Sequence, residues 1–368
     1  MNAVCRPPEL AIIVPTFNEA GNVAAVVERV AACMGDRDWE LVFVDDDSPD
    51  ATAQAVRALG RDDRRVRCVQ RIGRRGLSSA CIEGILSTTA PVVAVMDADL
   101  QHDERLLPQM LQELKSENLD VVVGSRYVSG GGTPGWSRNR VRISRLATAF
   151  GQRFLAVDIK DPMSGFFMMT REAFDDTVRQ LSGIGFKILL DILASSRRRL
   201  KVRELPFTFR ERHSGESKLD SGVAWDYVML LMDKTVGRYV PVRFIVFSLV
   251  GGLGVLVHML TLALLFKGLG AGFAASQLTA TLVAMSGNFF LNNYLTYRDR
   301  RLRGMKMIGG LLSFILACSV GAVANVGIAV YLFEADTFWV LSAVAGVIVG
   351  AVWNYAVSAV YTWNAASR

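Results

Sequence analysis

The sequence predicts an α/β domain followed by an all-α membrane domain of four helices. Three observations carry this. Apolar strand-like runs alternate with amphipathic helical segments as far as about residue 212. Clusters of charge close several of those runs. After Pro241 the chain is almost uninterrupted apolar sequence. A length of 368 residues also suits two domains rather than one.

The elements of the first domain follow in order. "LAIIVPTFN" from Leu10 reads as a buried strand and "EAGNVAAVVERVAACM" from Glu19 as an amphipathic helix. "WELVFVDDDSPD" from Trp39 is a strand ending in acids, and a helix follows at "ATAQAVRALG". "VRCVQR" is a strand, "GLSSACIEGILST" a helix, "PVVAVMDAD" a strand, "ERLLPQMLQELKS" a helix and "DVVVGSRY" a strand. Strands separated by helices predict a parallel sheet, with ligands at the carboxyl ends of its strands. Asn18 and Glu19, Asp45 to Asp47, Asp97 to Asp99, and Arg126 all fall there and predict one shared site.

Residues 1–219 form the expected catalytic domain. Residues 220–240 mix an apolar face with Asp226, Asp233, Lys234 and Arg238, too polar to span, and predict an amphipathic helix at the membrane surface. Residues 241–368 form the membrane domain, with spans at about 242–266, 272–297, 307–333 and 338–361. Each has the ~20 or more residues a spanning helix needs. Arg298, Arg300, Arg301, Arg303 and Lys306 follow the second span, so the positive-inside rule puts the first domain and both termini in the cytoplasm of a cell-membrane protein. "NFFLNNYLTY" from Asn288 recurs loosely as "NYAVSAVYTW" from Asn354, which predicts two duplicated hairpins. The asparagines Asn288, Asn292, Asn293, Asn325 and Asn354 are expected to hydrogen-bond between helices.

Net charge is +6, with the basic residues beside the apolar runs, which fits a membrane surface. No basic stripe carries interleaved aromatics, so nucleic acid is not expected as a partner. Five cysteines lack metal or disulfide spacing. "LAIIV" is too short for a signal peptide. A homo-oligomer is compatible with these features.

The paired acids of "MDADLQH" have three readings. They are a general acid/base pair, a structural turn, or the holder of a divalent cation. Asp97 and Asp99 share a face if the strand continues, and hard oxygen donors, Gln101 included, suit Mg2+ or Mn2+. No phosphate-binding G-x-x-x-x-G-K-[ST] loop is present, so metal and scattered cations must hold any diphosphate. His102, Asp103 and Glu104 are expected to begin the next helix.

Seven blocks in order, "VPTFNE", "VDDDSPD", "RRGLSSA", "MDADLQH", "VVGSRY", "DPMSGFF" and "RHSGESKL", resemble the polyprenol-phosphate (dolichol-phosphate) mannose synthases of glycosyltransferase family 2. The resemblance covers about residues 10–220; the membrane half resembles the GtrA-like family through "GNFFLNNYLTYR". It implies a GT-A type, Rossmann-like domain that moves a hexose, mannose from GDP-mannose, to a polyprenyl or dolichyl phosphate at the cytoplasmic face. UDP-glucose as donor, or a lipid-sugar translocase or scaffold with an inactive transferase domain, are the competing readings.

By that resemblance Pro15, Phe17 and Glu19 would line the nucleotide, and Val44 and Asp46, with Asp45, would contact base and ribose. Asp97, Ala98 and Asp99 would meet the sugar diphosphate, and Asp99 with Gln101 would hold the metal. Arg126 would reach the phosphates, Arg140 and Ser144 would bind the acceptor phosphate, and Arg212 and Lys218 would close over the donor. Asp97, Asp99, Arg126, Arg212 and Lys218 are thus the expected catalytic set. "DPMSGFF" is either a turn with a packed aromatic pair or part of the acceptor entrance.

Overall fold

The computed structural model describes residues 7–132, 159–183, 185–210, 221–237, 239–335 and 339–363. The chain divides into two compact units, Met1–Thr235 and Val236–Arg368.

The first unit is built on seven strands: β1 (Leu10–Thr16), β2 (Trp39–Asp45), β3 (Val66–Gln70), β4 (Val92–Val95), β5 (Val121–Ser125), β6 (Phe167–Thr170) and β7 (Val202–Pro206). Their order across the sheet is β3-β2-β1-β4-β6-β5-β7. All pairs are parallel except those of β6, which runs antiparallel to β4 and β5. The expectation of a wholly parallel sheet therefore fails at one strand. Around them lie α1 (Ala20–Met34), α2 (Thr52–Asp62), α3 (Leu77–Leu86), α4 (Leu107–Ser116), α5 (Arg171–Thr177), α6 (Ile188–Ser195) and α7 (Ser221–Thr235).

The central strands are apolar on both faces because both faces are covered. Leu10, Ile12 and Val14 pack with Val23, Val26 and Val30 of α1 and with Met110, Leu111 and Leu114 of α4. Ala11 and Ile13 pack on the other face with Ala80, Cys81 and Ile85 of α3, Phe174 of α5, and Ile188 to Leu190 of α6. Helix α3 lies close on the sheet because of Gly84: a Cβ there would stand 2.5 Å from Ile13 Cγ2 and 2.7 Å from Val44 Cγ2.

Helix α7 belongs to this unit. Leu230 is buried, and the Lys234 ammonium lies 2.6 Å from Asp191 Oδ1 on α6 while donating to the Gln180 carbonyl and Ser195 Oγ at 2.9 Å each.

The second unit contains α8 (Val242–Ala263), α9 (Phe273–Leu291), α10 (Lys306–Glu334) and α11 (Trp339–Val357). Among the described residues three helices are long and apolar enough to cross a membrane: Val242–Gly268, Lys306–Asn325 and Ala345–Thr362. Ser276, Gln277, Thr279, Thr281 and Ser286 make α9 more polar than the other three.

The duplication expected from sequence is present in the contacts. A π-helical turn closes α9 at Asn292–Thr296, and another closes α11 at Ser358–Thr362, in register with the Asn288/Asn354 repeat. Asn288 lies against Gly254 and Asn354 against Gly321, with no room for a Cβ at either glycine. Tyr297 and Trp363, which follow the two turns, stack on each other at 4.1 Å and 8°. One of the asparagines departs from the expected bonding between helices, and another meets it. Asn292 bonds within its own helix, to the Asn288 carbonyl and Thr296. Asn293 bridges outward, accepting from Leu302 N–H and Trp363 Nε1.

Candidate active site at the strand ends

The carboxyl ends of β1, β2 and β4 lie side by side, in the register Thr16 with Asp45 and Ile13 with Val95. The polar residues that follow these strands are therefore brought together, as the sequence predicts.

After β1 and β2 the two loops are tied to each other. Asn18 N–H donates to Ser48 Oγ, Glu19 N–H to Thr52 Oγ1 and Ala20 N–H to Asp50 Oδ2, all at 3.0–3.1 Å. Glu19 itself accepts from Asn22 Nδ2. Asp45 is fully buried and closes its own turn, accepting from the Ser48 amide and hydroxyl. Asp46 accepts from Arg71 Nη1 and Gly76 N–H, both at 2.7 Å. Burial pushes the Asp46 carboxyl above its usual range, against the Gly76 and Arg71 bonds that lower it. Both carboxylates thus order the loops that frame the site. Pro15 pairs in register with Val44, whose side chain is wholly in the core, so only its main chain can face a ligand. Phe17 is half-buried with the Arg75 guanidinium 4.2 Å over its ring, a cation–π contact.

After β4 the chain turns sharply, with Leu100 at φ +62°. That left-handed residue folds the segment back on itself. Asp99 Oδ1 accepts from Gln101 N–H, and the Asp97 N–H donates to Nδ1 of His102 at 3.1 Å. Ala98 and Asp99 are buried. Gln101 is tied to Arg210: its Nε2 donates to the Arg210 carbonyl at 2.9 Å, and its own carbonyl accepts from Arg210 N–H at 3.0 Å. The Arg210 guanidinium reaches Glu104 and Asp103. Asp103 does cap the following helical turn, as expected, but His102 points inward instead of joining it.

The remaining wall comes from β5 and α6. Arg126 is gripped by the fully buried Asp161, whose oxygens accept from Nε and Nη2 at 2.8 Å each and from the Arg126 N–H at 3.0 Å. Lys187, at the start of α6, donates to the Met163 carbonyl at 3.4 Å. Burial and the nearby Arg126 pull the Lys187 amine down to about 8, while Asp97 and Asp161 hold it up. The Asp97 carboxyl is raised, by burial first and by Asp99; His102, Lys187 and Arg126 act in the opposite sense. Two carboxylates and two cations therefore act on one another here, opposite charges favouring and like charges disfavouring each other's ionised form. Arg140, Ser144, Arg212 and Lys218 lie outside the described residues.

The chain matches the glycosyl transferase family 2 model over residues 11–178 and the GtrA/DPMS transmembrane domain model over residues 246–363. A dolichol-phosphate mannosyltransferase of Pyrococcus furiosus is 34% identical over 357 residues, 96% of this chain and 99% of that one. The chain belongs to the dolichol-phosphate mannosyltransferase family. It is a glycosyltransferase and a membrane protein. A Saccharomyces cerevisiae relative of the same name is 33% identical over 65% of this chain and 91% of its own. Glucosyl-3-phosphoglycerate synthase of Mycobacterium tuberculosis, a solved structure, aligns with a TM-score of 0.47 at 17% identity, over 62% of this chain and 80% of that one.

The donors of this glycosyltransferase fit a hard divalent cation. Asp99 and Gln101 lie on one turn, and the bond from Gln101 Nε2 to Arg210 means that the amide oxygen, not the nitrogen, would be the atom to face a cation. Among the described residues no three His, Cys, Asp or Glu side chains cluster as a metal site. Two protein oxygens with substrate phosphates are the set expected for Mg2+ or Mn2+. Three residues of the site were missed in the sequence: Lys187, Asp161 and His102. Lys187 carried a signal, a lone cation opening the apolar run "ILLDILA". Asp161 and His102 stood inside noted motifs, but their partners become visible only in the fold.

Proposed function

We propose that this transferase moves a mannosyl group from GDP-mannose to a polyprenyl phosphate at the cytoplasmic face of the cell membrane, with inversion at the anomeric carbon. The observation that carries the reading is the gathering of Asp97 and Asp99, after β4, with Arg126, after β5, and Lys187 at the carboxyl end of the sheet. The names of the relatives support mannose and a dolichyl-type acceptor. The basic loop after α9 supports a cytoplasmic catalytic unit, with α9 as the second of four spans.

A phosphate monoester is ionised near pH 7, so the acceptor needs no strong general base. Its oxygen forms the bond to the anomeric carbon as the bond from that carbon to the donor diphosphate breaks. Arg126, its guanidinium plane fixed by Asp161, positions the acceptor phosphate with Arg140 and Ser144. Lys187, with Arg212 and Lys218, stabilises the departing nucleoside diphosphate. A divalent cation on Asp99 and Gln101 supplies further charge neutralisation there when bound. Asp97 and Ala98 face the sugar diphosphate. Pro15, Phe17, Glu19 and the main chain of Val44 line the nucleotide, with Asp45 and Asp46 shaping that pocket.

The test incubates the purified full-length protein with a polyprenyl phosphate, Mn2+ or Mg2+, and radiolabelled GDP-mannose or UDP-glucose. Organic-extractable label from GDP-mannose alone, abolished by EDTA and by Asp99→Ala, is expected. Label from UDP-glucose alone overturns the donor, and no label from either overturns the transfer reaction. Full activity after EDTA overturns the metal role.

A further inference from the structure

His102 does no chemistry in the account above, yet it is among the most constrained residues of the unit. Its imidazole is 3% exposed and lies parallel to Phe166, ring centroids 5.1 Å apart at 13°. Phe207 and Phe209 meet it edge-on at 5.7 and 5.8 Å. Three rings from two separate segments therefore fix its plane. In that plane Nδ1 accepts the Asp97 main-chain N–H at 3.1 Å, which puts the neutral imidazole's proton on Nε2. Nε2 lies 3.7 Å from Asp97 Oδ2. One ring thus addresses both the backbone and the carboxylate of the same acid. Gly165 also lies against that carboxylate: a Cβ there would stand 3.1 Å from Oδ2.

Leu100 holds a left-handed backbone that a β-carbon disfavours. The bonds between Gln101 and Arg210 fix the far side of the turn, and the bond to His102 is the one that holds the Asp97 N–H.

We propose that His102 is a positioning residue for the transfer, holding Asp97 at the donor diphosphate through Nδ1. This rests on the reading of Asp97 given above. The aromatic cage and the Nδ1 bond are separable by substitution. His102→Phe keeps the ring packing and removes the acceptor. His102→Asn places Oδ1 where Nδ1 stands, keeping the acceptor and losing the ring.

The experiment measures kcat, donor KM and the unfolding temperature of full-length His102→Phe, His102→Asn and Asp97→Asn, with GDP-mannose, a polyprenyl phosphate and Mn2+. The expected result is a crossover. His102→Phe is the more stable variant and loses about 10- to 100-fold in kcat, the usual effect of removing a group that orients a site residue. His102→Asn is the less stable and recovers most of kcat. Wild-type kcat in His102→Phe, or activity that simply follows stability across the two, overturns the proposal. If only His102→Phe folds, its kcat decides alone: a loss at unchanged unfolding temperature supports the role. Full activity of Asp97→Asn shows instead that the reading of Asp97 was at fault.

Discussion

At Lys187 the site works against its own cation. Burial and Arg126 lower the amine to about 8, and Asp97 and Asp161 only partly restore it. The ammonium is therefore present at pH 7 and lost as the pH passes 8. If it stabilises the departing diphosphate, kcat/KM should fall along an alkaline limb near pH 8. Lys187→Met should lose ~10²-fold at pH 7 and show no such limb. The stability effect has the opposite sign. The folded value lies below the ordinary 10.5, so the unfolded chain binds more protons between about 8 and 10.5, and this group's contribution to stability rises with pH across that window. A fall in rate near pH 8 without unfolding is the expected pair of results; an unchanged pH profile in Lys187→Met would sink the assignment. The placement of Asp97, Asp99, Gln101 and Arg126 at the strand ends was legible because each follows a strand-like apolar run. Asp161 was not, because its grip on Arg126 spans 35 residues of chain that sequence cannot fold.

Elements were legible in proportion to their periodicity. The strands and helices from Leu10 to Ser125 alternate cleanly, and the expected segments match to within a few residues. Strand β6 has four residues and reverses direction, and α5 and α6 are short, so no period marks them. The segment of α7 was read as an amphipathic helix lying at the membrane surface, with its charges turned away from the lipid. One of its charges has a different task, because Lys234 is buried against Asp191. Asp191 is fully satisfied, accepting also from Ser182 N–H, Ser182 Oγ and Gly183 N–H. Removing one member of a buried ion pair strands the other, at roughly 3–5 kcal/mol. Lys234→Met should destabilise the catalytic unit by that order. Adding Asp191→Asn should recover part of it, since an amide oxygen still accepts from Ser182 without a buried charge. Urea unfolding of the full chain in detergent, followed by tryptophan fluorescence, measures this. A Lys234→Met effect no larger than that of exposed Lys201→Met would show that the pair holds nothing.

On the scale of the whole molecule, the two units are stabilised by different physics. The first buries apolar strands under helices in water. The second has no such drive, because lipid is as apolar as its side chains, and it relies on close packing of small residues. Its repeat supplies this twice, as Gly254 under Asn288 and Gly321 under Asn354. The repeat was visible in sequence as a recurring asparagine and aromatic ending. The segments "LVGGLG" and "SVGAVA" that hold the glycines also recur at nearly the same offset, but which glycine meets which asparagine was not visible, since glycines recur throughout membrane helices. Each lock should be local and independent. Gly321→Ala forces a methyl into the Asn354 amide and should cost roughly 1–3 kcal/mol, the usual scale of overpacking. Asn354→Ala in the same chain removes the clash and should restore most of it, because the smaller side chain makes the room the methyl needs. Gly254→Ala should be rescued by Asn288→Ala in the same way and left unrescued by Asn354→Ala, since the two locks share no atoms. Thermal unfolding of these three double variants and their single variants in bicelles gives the coupling energies directly. Purely additive losses within each pair would mean that the glycines serve backbone flexibility, and rescue across pairs would mean that the two hairpins are not separate packing units.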